Sequence, residues 1–531
     1  MKHIYIALIL AILFAGSCFA SYSDYTGLVR TFGDQSSWMT SAFVIADGSW
    51  VVTTSDAVTE YISQGIERTV KDPIFISYYT GQSWQCEVAA VNKKLNIALL
   101  KLPVSGLPAT SFAKDDEFAK ASIGTLGQIT SGEPVGNQWQ ADIYGITRET
   151  KANTSVLSVG EWSSKKVMIA EMDDYRWAFI SDITPIEKIP NGAMLTRPSG
   201  VAGMHVGRLV ITGGNSDIVF GRCATSFEMV KYLSSRGIEA SLLRESRKAD
   251  IKRPEQSAKA FQLQAMIYSA FGMGMANQVD EHAKQLVEIL PDDAQALLLY
   301  ANTLIANNKL EDAITQLDKA EKINSDLIGL AVAKSVALSG LDKKEEAEKV
   351  LLEAEKKHPN DIGINLSLAE YYFADNRDLD KALSYAKKVV NLDNTAPAKL
   401  MFLADVYLAK KEYQNAINTI GEALKLAPEW HVAWVGLGIA FETAGDKTNA
   451  EKTYRAYVAR NPKSLEAKLT LASFLIDTQK KDEAQQIINE AKESNPSDIY
   501  MQRIQELQDA IDDKEPEKEK PADDTKKDDD K

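Results

Sequence analysis

Hydrolysis of an acyl group needs a nucleophile, a base to take its proton and donors for the developing oxyanion. The chain's five histidines limit where such a base stands. His3 lies at the extreme N-terminus, and His282, His358 and His431 fall in a helical second half. His205, in Gly203-Met204-His205-Val206, is the remaining imidazole, and Ser199 is the nearest serine along the chain. A hydrolytic site in the first half would use that pair; otherwise His205 is an ordinary strand residue and Arg197-Pro198-Ser199-Gly200 a hairpin turn. No paired His or Cys spacing of the zinc type occurs, and no G-x4-G-K-[ST] phosphate loop. Gly132-Glu133-Pro134-Val135-Gly136 reads as a loop, so neither a cofactor nor a metal is expected.

The elements that must position these residues change character midway. From Tyr22 to Leu243 short runs of Val, Ile, Thr and aromatics alternate with Gly, Asp and Asn, which predicts strands in a sandwich or barrel. Ser41-Ala42-Phe43-Val44-Ile45 and Trp50-Val51-Val52-Thr53-Thr54 flank Asp47-Gly48 as a hairpin. A helix over Ser226 to Arg236 closes this region, and the charged stretch 244–256, broken by Arg253-Pro254, reads as a linker. From 257 to 511 the chain is rich in Ala, Leu, Glu and Lys and reads as helical.

Three segments of the β half stand out: Thr53-Thr54-Ser55-Asp56-Ala57-Val58, Asn96-Ile97-Ala98-Leu99-Leu100-Lys101, and Ile189-Pro190-Asn191-Gly192-Ala193-Met194-Leu195. In order, they resemble the catalytic corners of trypsin-like serine proteases of the HtrA type, roughly T-N-A-H-V-V, D-x-A-L-L-K and P-G-N-S-G-G-P-L. Ser41-Ala42-Phe43-Val44-Ile45 and Gly200-Val201-Ala202-Gly203-Met204 are similar to the family's G-S-G-F-V-I and G-V-V-G-I. The resemblance spans Gly27 to Leu242 and implies a double β-barrel over 21–243 with the corners converging in the cleft between barrels. It places Asp56 at the base, Asn96 at the orienting acid and Asn191 at the nucleophile. Asp accepts a hydroxyl proton poorly and an amide is no acyl nucleophile, so the resemblance implies a dead enzyme. Ile189 falls where the family has a donor glycine; its β-branch resists positive φ, and Pro190 has no N–H to give.

Pro291, Asn324, Pro359, Asp393, Pro428, Pro462 and Pro496 recur at spacings of 33 to 35 residues. In phase with them run Ala313, Ala347, Ala382, Ala416, Ala450 and Ala484, and a second series, Ala301, Ser335, Ala369, Ala404, Gly438 and Ala472. Small residues recur where paired helices approach closely and Pro where a helix must stop. With Trp434, Leu437, Gly438, Phe441, Ala450, Tyr454 and Pro462 as its best copy, the pattern resembles the tetratricopeptide repeat, in about seven helix pairs plus a cap. HtrA-type enzymes usually carry PDZ domains at this place. The resemblance implies an α-helical solenoid that binds a protein or peptide along the face of its first helices. Asn302, Glu370, Asp405, Val435 and Ile439 fall on that face, offering apolar contacts punctuated by acceptors.

A net charge of −14 argues against nucleic acid, which needs a concentrated basic surface. Met1-Lys2-His3, an apolar run to Phe14 and small residues ending Cys18-Phe19-Ala20 form a secretory signal over 1–20, which predicts export to the periplasm. The alternatives are an uncleaved N-terminal anchor and a lipid anchor on Cys18. No later segment is apolar enough to span a membrane. Cys86 and Cys223 either pair after export or stay as buried thiols. The tail 512–531, almost purely Asp, Glu, Lys and Pro, is expected to be disordered. The expectation is a two-domain, non-catalytic binding scaffold, a trypsin-like double β-barrel followed by a tetratricopeptide solenoid. The rivals are a serine endopeptidase with displaced catalytic residues and a chaperone-like factor of the cell envelope.

Overall fold

The computed structural model describes residues 22–512 except 33–36, 64–65, 71, 114–138, 152–153, 173–174, 184–185, 198, 212–217, 328 and 495. The expected signal with Cys18, the 132–136 loop, Pro198 of the expected turn and the tail from 513 onward lie outside the described residues. The chain divides into two compact units between Lys357 and His358.

The first unit opens with strands β1 (Thr26–Phe32), β2 (Ser37–Ile45), β3 (Trp50–Thr53), β4 (Thr59–Ser63), β5 (Ile66–Thr69), β6 (Ile74–Ser77), β7 (Ser83–Gln85), β8 (Glu87–Asn92) and β9 (Ile97–Lys101). Seven of them form one sheet in the order β7-β6-β1-β2-β3-β9-β8, while β4 and β5 pair as a separate ribbon. The unbroken apolar run of β9 is explained by burial on both faces. Ile97 and Leu99 join a core with Phe43 and Val52, and Ala98 and Leu100 join another with Val29, Val44 and Phe75. The β2–β3 hairpin turns through Ala46 and Gly48, both at positive φ, and closes with the Gly48 N–H donating to the Ile45 carbonyl at 3.2 Å.

Strands β10 (Trp139–Lys151), β11 (Thr154–Met172), β12 (Tyr175–Ile180), β13 (Met194–Arg197), β14 (Gly200–Ile211) and β15 (Ile218–Thr225) close a six-stranded barrel in the order β10-β11-β12-β15-β14-β13. The two sheets share a core in which Phe43 and Phe112 meet at 6.3 Å beside Val201 and Met204. Ser41 of β2 also bridges them: its hydroxyl accepts from the Ile146 N–H at 2.8 Å. Helix α1 (Ser226–Ser235) follows β15, with Thr225 as its N-cap.

The stretch 244–256 is held against the β region. Arg247 exchanges backbone bonds with Ala109, the Asp250 N–H donates to the Gly106 carbonyl at 2.9 Å, and Arg253 reaches Asp24 at 2.8 Å. Helices α2 (Ser257–Gly272) and α3 (Asp280–Ile289) then share a core with the strands: Phe261, Ile267 and Tyr268 pack with Leu28, Ile76 and Ile146. Buried Gln264 donates to the Gly81 carbonyl at 2.6 Å, and Gln82 donates to Asp293 at 2.7 Å. The break in compactness therefore falls four helices further on, after α4 (Ala294–Ala306), α5 (Leu310–Ile323), α6 (Leu330–Gly340) and α7 (Lys344–Lys357).

The second unit continues the pairs as α8 (Ile362–Phe373) with α9 (Leu379–Leu392), α10 (Pro397–Ala409) with α11 (Tyr413–Leu426), α12 (His431–Thr443) with α13 (Lys447–Arg460), and α14 (Leu465–Asp477) with α15 (Lys481–Glu493). Helix α16 (Asp498–Ile511) ends the series. Pro359, Pro428 and Pro462 each stand two residues past a helix end. The small residues are buried as the close approach requires; a Cβ on Gly438 would lie 2.2 Å from the Tyr454 ring. Trp434 donates its indole N–H to the Pro428 carbonyl at 2.8 Å. Its counterpart Asn365 does the same to Pro359 at 2.9 Å, so this irregular repeat keeps the donor though it loses the ring.

Candidate functional site

Asp56 sits in a 3-10 turn (Ser55–Val58) after β3 and is exposed. Asn96 closes the turn before β9 at φ 53°, a left-handed conformation that Asn tolerates better than most residues. The two side chains meet: Asn96 Nδ2 donates to Asp56 Oδ2 at 2.8 Å and to the Val206 carbonyl at 2.9 Å. Asn96 Oδ1 accepts from the Ser55 hydroxyl at 2.7 Å and from the Asp56 N–H at 3.2 Å. All four bonding positions of the amide are thus filled. A carboxylate at 96 would face the Asp56 carboxylate and the Val206 carbonyl with no proton to give either, so the surroundings select Asn over Asp.

Asn191 lies in the turn before β13, exposed, with Gly192 at φ 80°. The turn is pinned by its backbone. The Asn191 carbonyl accepts from the Ser41 N–H at 3.2 Å, the Gly192 N–H donates to the His205 carbonyl at 2.8 Å, and the Ala193 N–H donates to the Pro190 carbonyl at 3.2 Å. The Ile189 N–H donates to the Ile186 carbonyl at 3.0 Å, and the Ile189 side chain is buried in the barrel core. Asn191 is therefore joined, through residues 205 and 206 of β14, to the strand that carries Asn96's acceptor. No described bond links its side chain to Asp56 or Asn96.

His205 is buried, and its Nδ1 donates to the Pro190 carbonyl at 3.2 Å; Nε2 has no hydrogen-bond partner among the described residues. Burial pushes the imidazole down to about 4, so it is neutral near pH 7. Ser199 is exposed at the β13–β14 hairpin, and no described bond joins it to His205. Cys86 and Cys223 are separate buried thiols in different cores, and burial pushes Cys86 up to about 12 and Cys223 higher still. Among the described residues no group of three or more His, Cys, Asp or Glu is placed to hold a metal ion, and no helix is long and apolar enough to cross a membrane.

On the repeats, Asn302 (α4), Glu370 (α8), Asp405 (α10) and Ile439 (α12) each follow the small residue of a first helix by one position, and Val435 precedes Gly438 by three. Glu370, Asp405 and Ile439 are exposed, Asn302 and Val435 half-buried. Of the apolar residues three before each small position, Leu298, Met401 and Leu469 are buried between helices, whereas Val332, Leu366 and Val435 keep part of their surface. Desolvation alone raises the Glu370 and Asp405 carboxyls, and neither has a hydrogen-bond or ion-pair partner among the described residues. Beside them the Phe373 and Phe402 rings meet edge to face at 5.6 Å, each three residues from one of the carboxylates. Sequence reasoning missed that aromatic pair, although its i, i+3 spacing from Glu370 and Asp405 was readable. It also missed the Ser41 bridge, which strand-to-strand pairing alone reveals.

Models of the tetratricopeptide repeat match residues 403–464 and 443–507. Similar solved structures include YrrB, described as a TPR protein with an unusual peptide-binding site, at 16% identity over 35% of this chain and 96% of that one, with a TM-score of 0.29. Another is pilF of Pseudomonas aeruginosa, at 19% identity over 39% and 92%, with a TM-score of 0.31. A tetratricopeptide repeat protein from Parabacteroides merdae aligns at 12% identity over 47% and 97%, with a TM-score of 0.33. No curated protein matches the chain. The chain is thus a β region of two curled sheets followed by a tetratricopeptide solenoid.

Proposed function

We propose that the chain is an exported, non-catalytic protein-binding scaffold in which a trypsin-like domain without its triad precedes a tetratricopeptide solenoid. The observation that carries this reading is the Asp56–Asn96 bond. At the corner where the resemblance implies an imidazole held by a carboxylate, a carboxylate is held by an amide, and neither is the imidazole that the serine mechanism needs. The backbone supports it, because the Ile189 N–H, at the place of an oxyanion donor, is already bonded to Ile186. The periplasm follows from the N-terminal signal, with lipid attachment at Cys18 as the alternative. The partner is a protein or peptide held along the first-helix face of the second unit by Val435 and Ile439 through apolar contact and by Glu370 and Asp405 through polar contact.

A fluorophosphonate reagent tests the inactivity. The expected result is no labelled serine, and a labelled Ser199 would sink the reading in favour of a displaced endopeptidase. Reversing the charge of Glu370 and Asp405 while changing Val435 and Ile439 to Ser tests the binding face. Helical content by circular dichroism should stay unchanged and partner recovery from the cell envelope should fall at least tenfold. Undiminished recovery removes the face from the proposal.

A further inference from the structure

The first helices of the second unit carry their charge unevenly. Neither α8 nor α12 contains Lys or Arg, and the lysines of α10 and α14 are engaged, Lys399 with Asp393 at 2.5 Å and Lys468 with Glu490 at 3.1 Å. Of the acids on these helices, Glu442 accepts from the Tyr454 hydroxyl at 2.6 Å and Glu466 holds Arg503 at 2.6 Å. Glu370 and Asp405 are exposed and have no such partner among the described residues. They hold the same place in successive repeats, one residue past Ala369 and Ala404, and the next repeat puts Ile439 there. Two turns earlier on the same face stand Gly363, Ala398 and Val432. Gly363 and Ala398 are small and exposed, so a long side chain has room to lie along the helix toward each carboxylate. Val432 and Ile439, 51% and 47% exposed, make an apolar step beside them. The half-buried rings of Phe373 and Phe402 touch across α8 and α10 and add aromatic surface next to both acids.

A carboxylate partly removed from water and left without a cation is costly, and a bound cation offsets that cost. A face of this composition attracts basic groups opposite α8 and α10 and an apolar group opposite α12. It repels an acidic segment, because its own helices offer no uncommitted lysine or arginine. Helices packed side by side lie about 10 Å apart, and an extended chain covers that distance in about three residues. Resting on the reading that this face takes a protein or peptide, we propose that its ligand is an extended segment with two basic residues three positions apart and an apolar residue three positions further on. The basic side chains lie on Glu370 and Asp405 and the apolar one on Ile439. Phe373 and Phe402 offer ring surface to the same cations.

Fluorescence anisotropy on the full chain tests the proposal with the labelled peptide Ser-Arg-Ser-Ser-Arg-Ser-Ser-Leu-Ser and a counterpart in which both arginines are glutamates. The basic peptide should bind and the acidic one should bind at least tenfold more weakly. Glu370→Gln with Asp405→Asn should weaken the basic peptide at least tenfold, and Ile439→Ser should weaken it at least threefold, both with circular dichroism unchanged. Because the whole chain is acidic, Glu345→Gln with Glu346→Gln on α7 serves as the control: it removes the same charge from exposed positions and should leave binding unchanged. An equal loss in that control makes the attraction nonspecific and overturns the proposal. Equal binding of the two peptides, preference for the acidic one, or no binding of either overturns it as well. The reading beneath it is judged separately by partner recovery with the four-position variant described above. If recovery still falls while the peptides are not told apart, the face binds a ligand of other chemistry and only this proposal fails; undiminished recovery removes the face altogether.

Discussion

The polar groups of the corner around Asn96 and Asn191 and those of the repeat face differ in where their bonds go. Around Asn191 the chain bonds to itself: Asn96 fills four positions internally, the backbone at 189, 192 and 193 donates to 186, 205 and 190, and His205 is held neutral under Pro190. On the repeats, Glu370 and Asp405 are open to water, raised by desolvation and without a partner among the described residues. Groups already satisfied make structure, and groups left unsatisfied are available to something else. Under the proposed function the corner serves stability and the repeat face recognition, a division that substitutions in either region can break.

The largest effect is expected at Gly192. It holds φ 80°, and a Cβ there would lie 1.8 Å from the Ser41 carbonyl oxygen, a backbone atom that cannot rotate aside. Gly192→Ala should destabilise the β region by about 3 kcal/mol or more, read from urea unfolding. The matching change in the solenoid goes the other way. A Cβ added to Gly421, inside α11, would meet nothing within 4 Å, and Gly421→Ala should stabilise by about 0.5–1 kcal/mol. If Gly192→Ala proves nearly neutral, the corner is pliable and the division fails on its structural side.

His205 comes next. Its folded value is about 4 against an ordinary 6.5, so the unfolded chain takes up the proton first as pH falls. Stability of the β region should therefore decline from pH 6.5 to pH 4, by up to about 3 kcal/mol in total. His205→Asn keeps a donor toward Pro190 and removes the titration, so its stability should be flat across that window. A His205 signal in NMR that titrates near 6.5 in the folded protein would mean the imidazole is accessible, which would revive it as a base.

How much of this was legible depends on the range of the interactions. The solenoid was readable because its constraints are local and repeated: Gly438 must be small for Tyr454, and a proline two residues past each of several helices marks the stop. The corner positions were readable as text but their bonding was not. Asn96 is fixed by Ser55 and Asp56 some forty residues earlier and by Val206 a hundred and ten residues later, pairings that no local pattern encodes. The stretch 244–256 read as a linker because its bonds to Ala109 and Gly106 run through the backbone, which composition does not report. The core shared by α2 and the strands was hidden for the same reason: Phe261 and Tyr268 look like any repeat residues until Leu28 and Ile146 are placed against them.

The smallest effect on stability carries the sharpest test of the comparison. A carboxyl whose folded value is raised by burial disfavours the folded state when ionised, so it subtracts stability above that value and gives it back as pH falls through it. Glu370 and Asp405 should both behave this way. Replacing them with Gln and Asn removes the charge while keeping shape. The solenoid should then gain slightly at pH 7, with a Tm rise of no more than about 2 °C because both groups are open to water and screened. The gain should vanish below pH 4, where the native carboxyls are protonated. Binding should move the opposite way, with partner recovery falling although the fold is firmer, as expected where function retains groups that stability would discard. A double variant that is less stable than the native chain would mean that the carboxylates hold the repeats together, and the face would then resemble the corner it is contrasted with.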